Sequence, residues 1–254
     1  MPSWLVLALA MAAACAVVVV VAVIRERTAR EDDDPDDTPD VIEYMTMMIG
    51  VVYAIVLGLA IAGVWEARSA AQDHVRAEAM ALHEISERVR PYPVEIRELI
   101  REDVHAYVGH VVNTEWKVMA DQGELTGQGA RLLARLRHDL TDYQPASDFE
   151  AQAYQPLLDQ VTLVDQARAA REDATEATMP GVVWFGLITG AVVTIGMVFA
   201  LQIRRTPREL VLAGLFSALI AFLLFLVWDF DAPFSRGMDV DAGAFTALFP
   251  SAGT

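Results

Sequence analysis

The 254-residue chain has one cysteine, one lysine and no charged residue inside any of its long apolar stretches. The lone Cys15 rules out an intrachain disulfide and a thiolate metal cluster, so cysteine usage carries no redox information. All but Lys117 of the 19 basic residues are arginine, and 35 acidic residues outweigh them to a formal charge of −16. That balance argues against nucleic acid or an anionic lipid surface as a partner, since both attract net positive charge. No Gly-x-Gly-x-x-Gly turn, Walker loop or nucleophile elbow occurs, and the pattern offers no parallel sheet to hold one, which makes an enzyme a poor reading. Charged residues are absent from the apolar stretches, which argues against a proton-coupled transporter or a voltage sensor.

The apolar residues, 54% of the chain, gather in four runs at residues 4–24, 44–65, 182–203 and 210–228. A helix rises about 1.5 Å per residue, so roughly 20 residues cross about 30 Å of hydrocarbon. The expected fold is an all-α membrane protein with four transmembrane helices in two hairpins and a helical middle domain between the second and third spans. The expected divisions are a transmembrane helix over 1–24, an acidic loop over 25–43, a transmembrane helix over 44–65 and a helical extramembrane domain over 66–180. A transmembrane helix over 181–203, a short basic loop over 204–209, a transmembrane helix over 210–228 and an acidic tail over 229–254 complete the chain. The first run lacks a basic leading segment and is longer than a signal peptide's apolar region, so it reads as a retained anchor.

Local signals refine the helices. Thr38 with Pro39 reads as a cap and first helical residue, and Thr206, Pro207 and Glu209 repeat the signal, making the last two spans a tight hairpin. No breaker lies between Trp65 and Arg90, so one helix is expected from about residue 39 to 90, projecting beyond the bilayer and ended by Pro91 and Pro93. A second amphipathic stretch over 94–119 places Ile100, Val104, Tyr107, Val108 and Val111 on one face, with a turn at 121–124. Further helices are expected over 128–143 and 148–177, the latter opened by Ser147 with Glu150 and bent at Pro156.

Candidate chemistry is sparse. Glu102 and His105 make one Glu-x-x-His unit, whereas a bundle di-iron site needs two such units and further glutamates. His105 and His110 are five residues apart and point in different directions on a helix, which disfavours a zinc pair. A buried polar cluster joining His83, His105 or His110 would revive an enzymatic reading. Oxygen ligands for a hard cation could come from Asp229, Asp231, Asp239 and Asp241, in a tail that Pro233, Phe234 and Gly237 mark as an ordered turn. The acidic run 31–37 reads as a solvated loop.

The second apolar run carries the most. Val51, Ile55 and Leu59 recur every four residues as a stripe, beside Gly50, Ala54 and Gly58 in a small-xxx-small pattern. The small residues alone would let helices pack closely. If several copies surround an axis, the stripe becomes an apolar constriction that closes to ions by dewetting.

Residues 49–65, IGVVYAIVLGLAIAGVW, and 228–245, WDFDAPFSRGMDVDAGAF, are the parts through which the chain resembles the bestrophin-like membrane proteins. This bacterial family of unknown function is named for its likeness to bestrophin anion channels. The resemblance implies two spans, a helical middle domain, two spans and a short tail, assembled as a pentamer. It places Val51, Ile55 and Leu59 at the three apolar neck positions, where bestrophins often carry aromatic residues. It likens Pro233 and Phe234 with Asp239 and Asp241 to a calcium clasp, with Ala232 where the clasp has asparagine.

Bestrophins keep both termini and the middle domain in the cytoplasm. The charge rule points the other way here, because Arg25, Arg27, Arg30, Arg204, Arg205 and Arg208 lie in the short loops against Arg236 alone in the terminal segments. Counting Arg68, Arg76, Arg168 and Arg171 as flanking charges narrows that difference. The expected function is an oligomeric, multi-pass anion channel of the plasma membrane, with the bilayer and its own copies as partners and calcium as the one candidate cofactor. The alternative is a non-conducting membrane protein whose helical domain binds a partner or senses envelope conditions.

Overall fold

The computed structural model describes residues 40–201, 207–235 and 240–253. The first apolar run, the acidic run 31–37, Arg204, Arg205, Arg236, Gly237 and Asp239 lie outside the described residues. Helix α1 runs Asp40–Arg88, α2 Val94–His110, α3 Trp116–Gln122, α4 Gly127–Asp142 and α5 Asp148–Asp173. Helices α6, Gly181–Leu201, and α7, Pro207–Phe230, precede a short α8, Gly243–Leu248, and a closing 3₁₀ turn, Pro250–Gly253. No strand occurs among the described residues. The chain forms two compact units: Met1–Glu66 with Thr178–Asp231, and Ala67–Ala177 with Ala232–Thr254. Helix α1 contributes to both.

Helices α1, α6 and α7 are each long and apolar enough to cross a membrane, over Tyr44–Arg88, Gly181–Val198 and Val211–Phe230. They join through a narrow seam. Tyr53, Leu57, Ala60 and Val64 of α1 meet Leu187 and Ala191 of α6 and Ile220, Val227 and Phe230 of α7. The Tyr53 hydroxyl donates to the Leu187 carbonyl at 3.1 Å. A Cβ on Gly190 would stand 2.6 Å from the Tyr53 ring, so that glycine is what lets the ring lie against α6. Trp65 meets Phe230 edge to face at 5.4 Å.

The second unit is a bundle around Leu82, Ile85, Ile100, Val104, Leu136 and Leu157. Pro91 and Pro93 separate α1 from α2, as expected from their fixed φ and missing N–H groups. The uninterrupted amphipathic helix read over 94–119 is instead broken by a π turn, Val111–Glu115. The wider turn changes the face presented and puts Glu115 fully inside. Helix α3 stops at Gly123, whose φ of 73° is left-handed and favours glycine. Thr126 caps α4 by accepting the Gly129 N–H at 3.2 Å, and Ser147 caps α5 by accepting the Glu150 N–H at 3.3 Å. The Glu150 carboxylate reaches the Ala146 N–H and the Tyr143 hydroxyl, not the Ser147 amide that a reciprocal box would use.

The tail is more apolar in its role than its acidic composition suggests. Phe234, Val240, Phe245 and Phe249 are buried in the bundle core. Trp116 meets Phe234 at 5.9 Å and Phe245 at 6.3 Å, both edge to face.

One buried acid makes the bundle's stability depend on pH. Asp103 is 2% exposed and holds Arg135 Nε at 3.0 Å, while Arg135 also approaches Asp139 at 3.7 Å. Burial first, then the hydrogen bond with Asp139, lifts the Asp103 carboxyl to about 6 against the pull of Arg135. The folded state therefore keeps a proton that the unfolded chain gives up near its ordinary value of 3.8, and stability falls as pH rises from there through about 6. Asp103→Asn is expected to raise stability near pH 7 by about 1–3 kcal/mol and to flatten the slope between pH 4 and 6. Thermal unfolding across that range checks both.

Candidate functional site

Helix α1 has two opposed faces within the first unit. Tyr53, Leu57, Ala60 and Val64 are buried in the seam, at 0–8% exposure. Val51, Ile55 and Leu59 are 55%, 58% and 68% exposed. With about 100° between successive residues, the exposed stripe is centred about 180° round the helix from the packed face. The packed face fixes which way the stripe points, because turning α1 to bury Ile55 would pull Leu57 and Val64 out of the seam.

The small residues beside the stripe do not meet another helix among the described residues. A Cβ on Gly50 or Gly58 would find nothing within 4 Å, and Ala54 is exposed. The close helix approach in this unit is at Gly190 instead.

Two of the candidate cation ligands, Asp231 and Asp241, hold N–H donors. Asp231 accepts the Met179 N–H at 2.8 Å and the Trp184 indole N–H at 3.2 Å, while its carbonyl accepts the Thr178 N–H at 3.2 Å. Asp231 thus ties the end of α7 to the start of α6. Asp229 is buried, and the exposed Asp241 accepts the Gly243 N–H at 3.0 Å at the start of α8. Among the described residues no three His, Cys, Asp or Glu side chains converge as a metal site. A hard cation needs several oxygens directed at one point, and the described residues do not fit calcium.

The histidines are likewise dispersed. His83 and His105 lie edge to face with Phe249 at 6.1 and 5.9 Å, and His110 Nε2 is 2.6 Å from Thr126 Oγ1. Glu102 and His105 are both exposed.

Polar convergence occurs in the bundle, on residues the sequence reading did not single out as a site. Arg171 donates to Glu78 at 2.7 and 3.1 Å and to Glu115 at 2.9 Å. Arg168 donates to the two Glu115 oxygens at 2.5 and 2.8 Å and to the Tyr107 hydroxyl at 3.1 Å. Tyr107 donates to Glu78 at 2.5 Å, and Thr126 donates through both its hydroxyl and its N–H to Glu115 at 2.7 and 3.1 Å. The guanidinium of Arg168 also stacks over Tyr107, and that of Arg171 over Trp116, each at 5.7 Å. Burial works to raise the Glu115 carboxyl, but the hydrogen bonds from Arg168 and Thr126 and the charge of Arg171 hold it down to about 2. Burial and the Glu78 charge push the Tyr107 phenol up. The four ions are balanced two against two, and every carboxylate oxygen is engaged. The cluster is an internal lock with no open position for a reacting molecule.

Arg168 and Arg171, counted from the sequence among the charges near the spans, are buried and neutralised within the bundle. A sequence signal existed. Leu157, Val161, Val164, Arg168 and Arg171 follow one helical face, so the arginines occupy core positions.

A narrow seam of span-capable apolar helices, joined through α1 to a helical bundle with a buried ion cluster, defines an α-helical membrane protein. Residues 11–245 match the bestrophin-like domain, and the chain belongs to the bestrophin-like family. It is similar in fold to an isoleucine-to-threonine variant of a bacterial bestrophin homologue from Klebsiella pneumoniae, with a TM-score of 0.72, 12% identity, and coverage of 97% of this chain and 98% of that one. A structure described as a membrane protein, a proline-to-alanine variant, gives a TM-score of 0.71 at 13% identity over 98% and 99% of the two chains. A leucine-to-threonine variant of the Klebsiella homologue gives 0.65 at 14% identity, over 98% of each chain. No curated relative matches the sequence.

Proposed function

We propose that the chain is a four-span subunit of a homo-oligomeric anion channel in the plasma membrane, with Val51, Ile55 and Leu59 as its apolar constriction. The observation that carries this reading is the stripe's placement: three aliphatic residues at four-residue spacing, exposed, and held opposite the face that α1 buries. A stripe facing a symmetry axis would form rings of aliphatic side chains, a barrier that opens when the ring widens enough to wet. Membership of the bestrophin-like family supports assembly around an axis, and a pentamer is the assembly its likeness to bestrophins suggests. Gly50, Ala54 and Gly58 then flank the axis and let neighbouring copies approach. The first apolar run supplies the remaining span. The six arginines of the short loops favour termini and bundle outside, by a narrow margin over Arg236 with Arg68, Arg76, Arg168 and Arg171.

Purified protein in liposomes tests the channel. Wild type is expected to pass chloride above the protein-free rate, and Ile55→Ala to raise that flux several-fold by widening the central ring. If both remain at the protein-free rate, the channel reading fails and the non-conducting, partner-binding alternative replaces it.

A further inference from the structure

Helix α1 continues without a break past the stripe, so each residue beyond it keeps a fixed direction relative to Val51, Ile55 and Leu59. At about 100° per residue, those three cover roughly 80° of the helix surface, centred on Ile55. Glu66 is the first charged residue after them, and it falls only about 20° from the direction of Ile55, roughly 10 Å beyond Leu59 along the helix. It is exposed, as is Ala62 between them. An acid that ends an apolar run needs only water, which it can find in several directions, so its phase with the stripe is a separate observation. The next charged residue, Arg68, falls about 140° round the helix from Ile55, on the side of the seam. Where Trp65 meets Phe230, the end of α7 brings Asp229 and Asp231 and no basic side chain.

We propose that Glu66 sets the charge preference of the pathway: one carboxylate from each copy rings the axis beyond the apolar stripe and lowers the permeability of chloride relative to sodium. The inference rests on the reading of Val51, Ile55 and Leu59 as the constriction, because whatever axis the stripe faces, Glu66 faces too. The aliphatic rings decide whether ions pass, but they carry no sign and do not choose between chloride and sodium. A ring of like charges does. It concentrates the counter-ion and depletes the co-ion in the mouth of a narrow pathway with low-dielectric walls. Chloride therefore crosses against the Glu66 ring, and sodium accompanies it.

Reversal potentials of the full-length protein in planar bilayers, under a gradient of sodium chloride, test the assignment. Glu66→Gln is expected to move the reversal potential toward the chloride equilibrium value, the sodium-to-chloride permeability ratio falling about ten-fold, and Glu66→Arg to move it further. The side chain is exposed, so neither variant should lower the unfolding midpoint. The shift should shrink at about 1 M salt, where the Debye length is about 3 Å against about 10 Å at 0.1 M. A residue that only supports the fold would alter the current without moving the reversal potential. If wild type conducts and all three proteins share one reversal potential, or the shift persists undiminished at about 1 M salt, the assignment to Glu66 is overturned while the channel reading stands. If none of the three conducts, the channel reading fails and the assignment falls with it.

Discussion

Arg171→Met is expected to destabilise the bundle by about 3–5 kcal/mol, the cost of stripping one partner from a buried ion cluster. The guanidinium is fully buried and is the group that links Glu78 of α1 to Glu115 of the π turn. Without it the two carboxylates face one remaining cation, and the cluster carries an uncompensated negative charge inside the core. The double replacement Glu78→Gln with Arg171→Met removes one charge of each sign and leaves Arg168 paired with Glu115, so it should be much less damaging than Arg171→Met alone. Urea unfolding of the full chain in nanodiscs, followed by circular dichroism, measures both. A loss under about 1 kcal/mol for the single variant would mean that the cluster is solvated rather than buried. Acid adds a second readout. Glu115 is ionised in the folded state down to about 2, so its contribution is present above its ordinary 4.5 and is lost as pH falls through about 2.

The legible part of the fold was written in long-range composition and in breakers. A 49-residue helix from Asp40 to Arg88 follows from an apolar run feeding an Ala, Glu and Arg-rich segment with no proline until Pro91. The tail read as an ordered acidic turn, but not as part of the bundle core. Phe234, Phe245 and Phe249 are too few and too irregularly spaced to show a helical face, and they find their core only through contacts with distant elements such as Trp116. The π turn at Val111–Glu115 is likewise unreadable, since nothing in its residue types distinguishes it from ordinary helix. Its reason lies across the bundle, in Arg168 and Arg171, which need a carboxylate at that depth. For the candidate site, periodicity located Val51, Ile55 and Leu59 as a stripe. It could not say which side of α1 would be held by α6 and α7, because every residue of that run is apolar or small.

The packed side rests on one glycine, and changing it should have the second large effect. In Gly190→Val the new Cβ would sit 2.6 Å from the Tyr53 ring, and the ring must move, breaking its hydrogen bond to the Leu187 carbonyl. Overpacking of this kind costs about 1–3 kcal/mol and the lost hydrogen bond about 1 more, so a destabilisation of about 2–4 kcal/mol is expected in thermal or urea unfolding. Gly190→Ala should cost less, because it makes the same clash with less bulk and regains about 1 kcal/mol of helix propensity. The clash is relieved by shrinking its other partner. Tyr53→Ala combined with Gly190→Val should therefore cost less than the two single losses added together, by at least about 1 kcal/mol of coupling. Strict additivity would mean that the ring does not lie on α6. Because Tyr53 is on the face opposite Ile55, a ring forced off α6 turns or shifts α1 and with it the stripe. Gly190→Val should then change the chloride flux of the liposomes although neither residue belongs to the constriction, and the Tyr53→Ala, Gly190→Val pair should return it toward wild type.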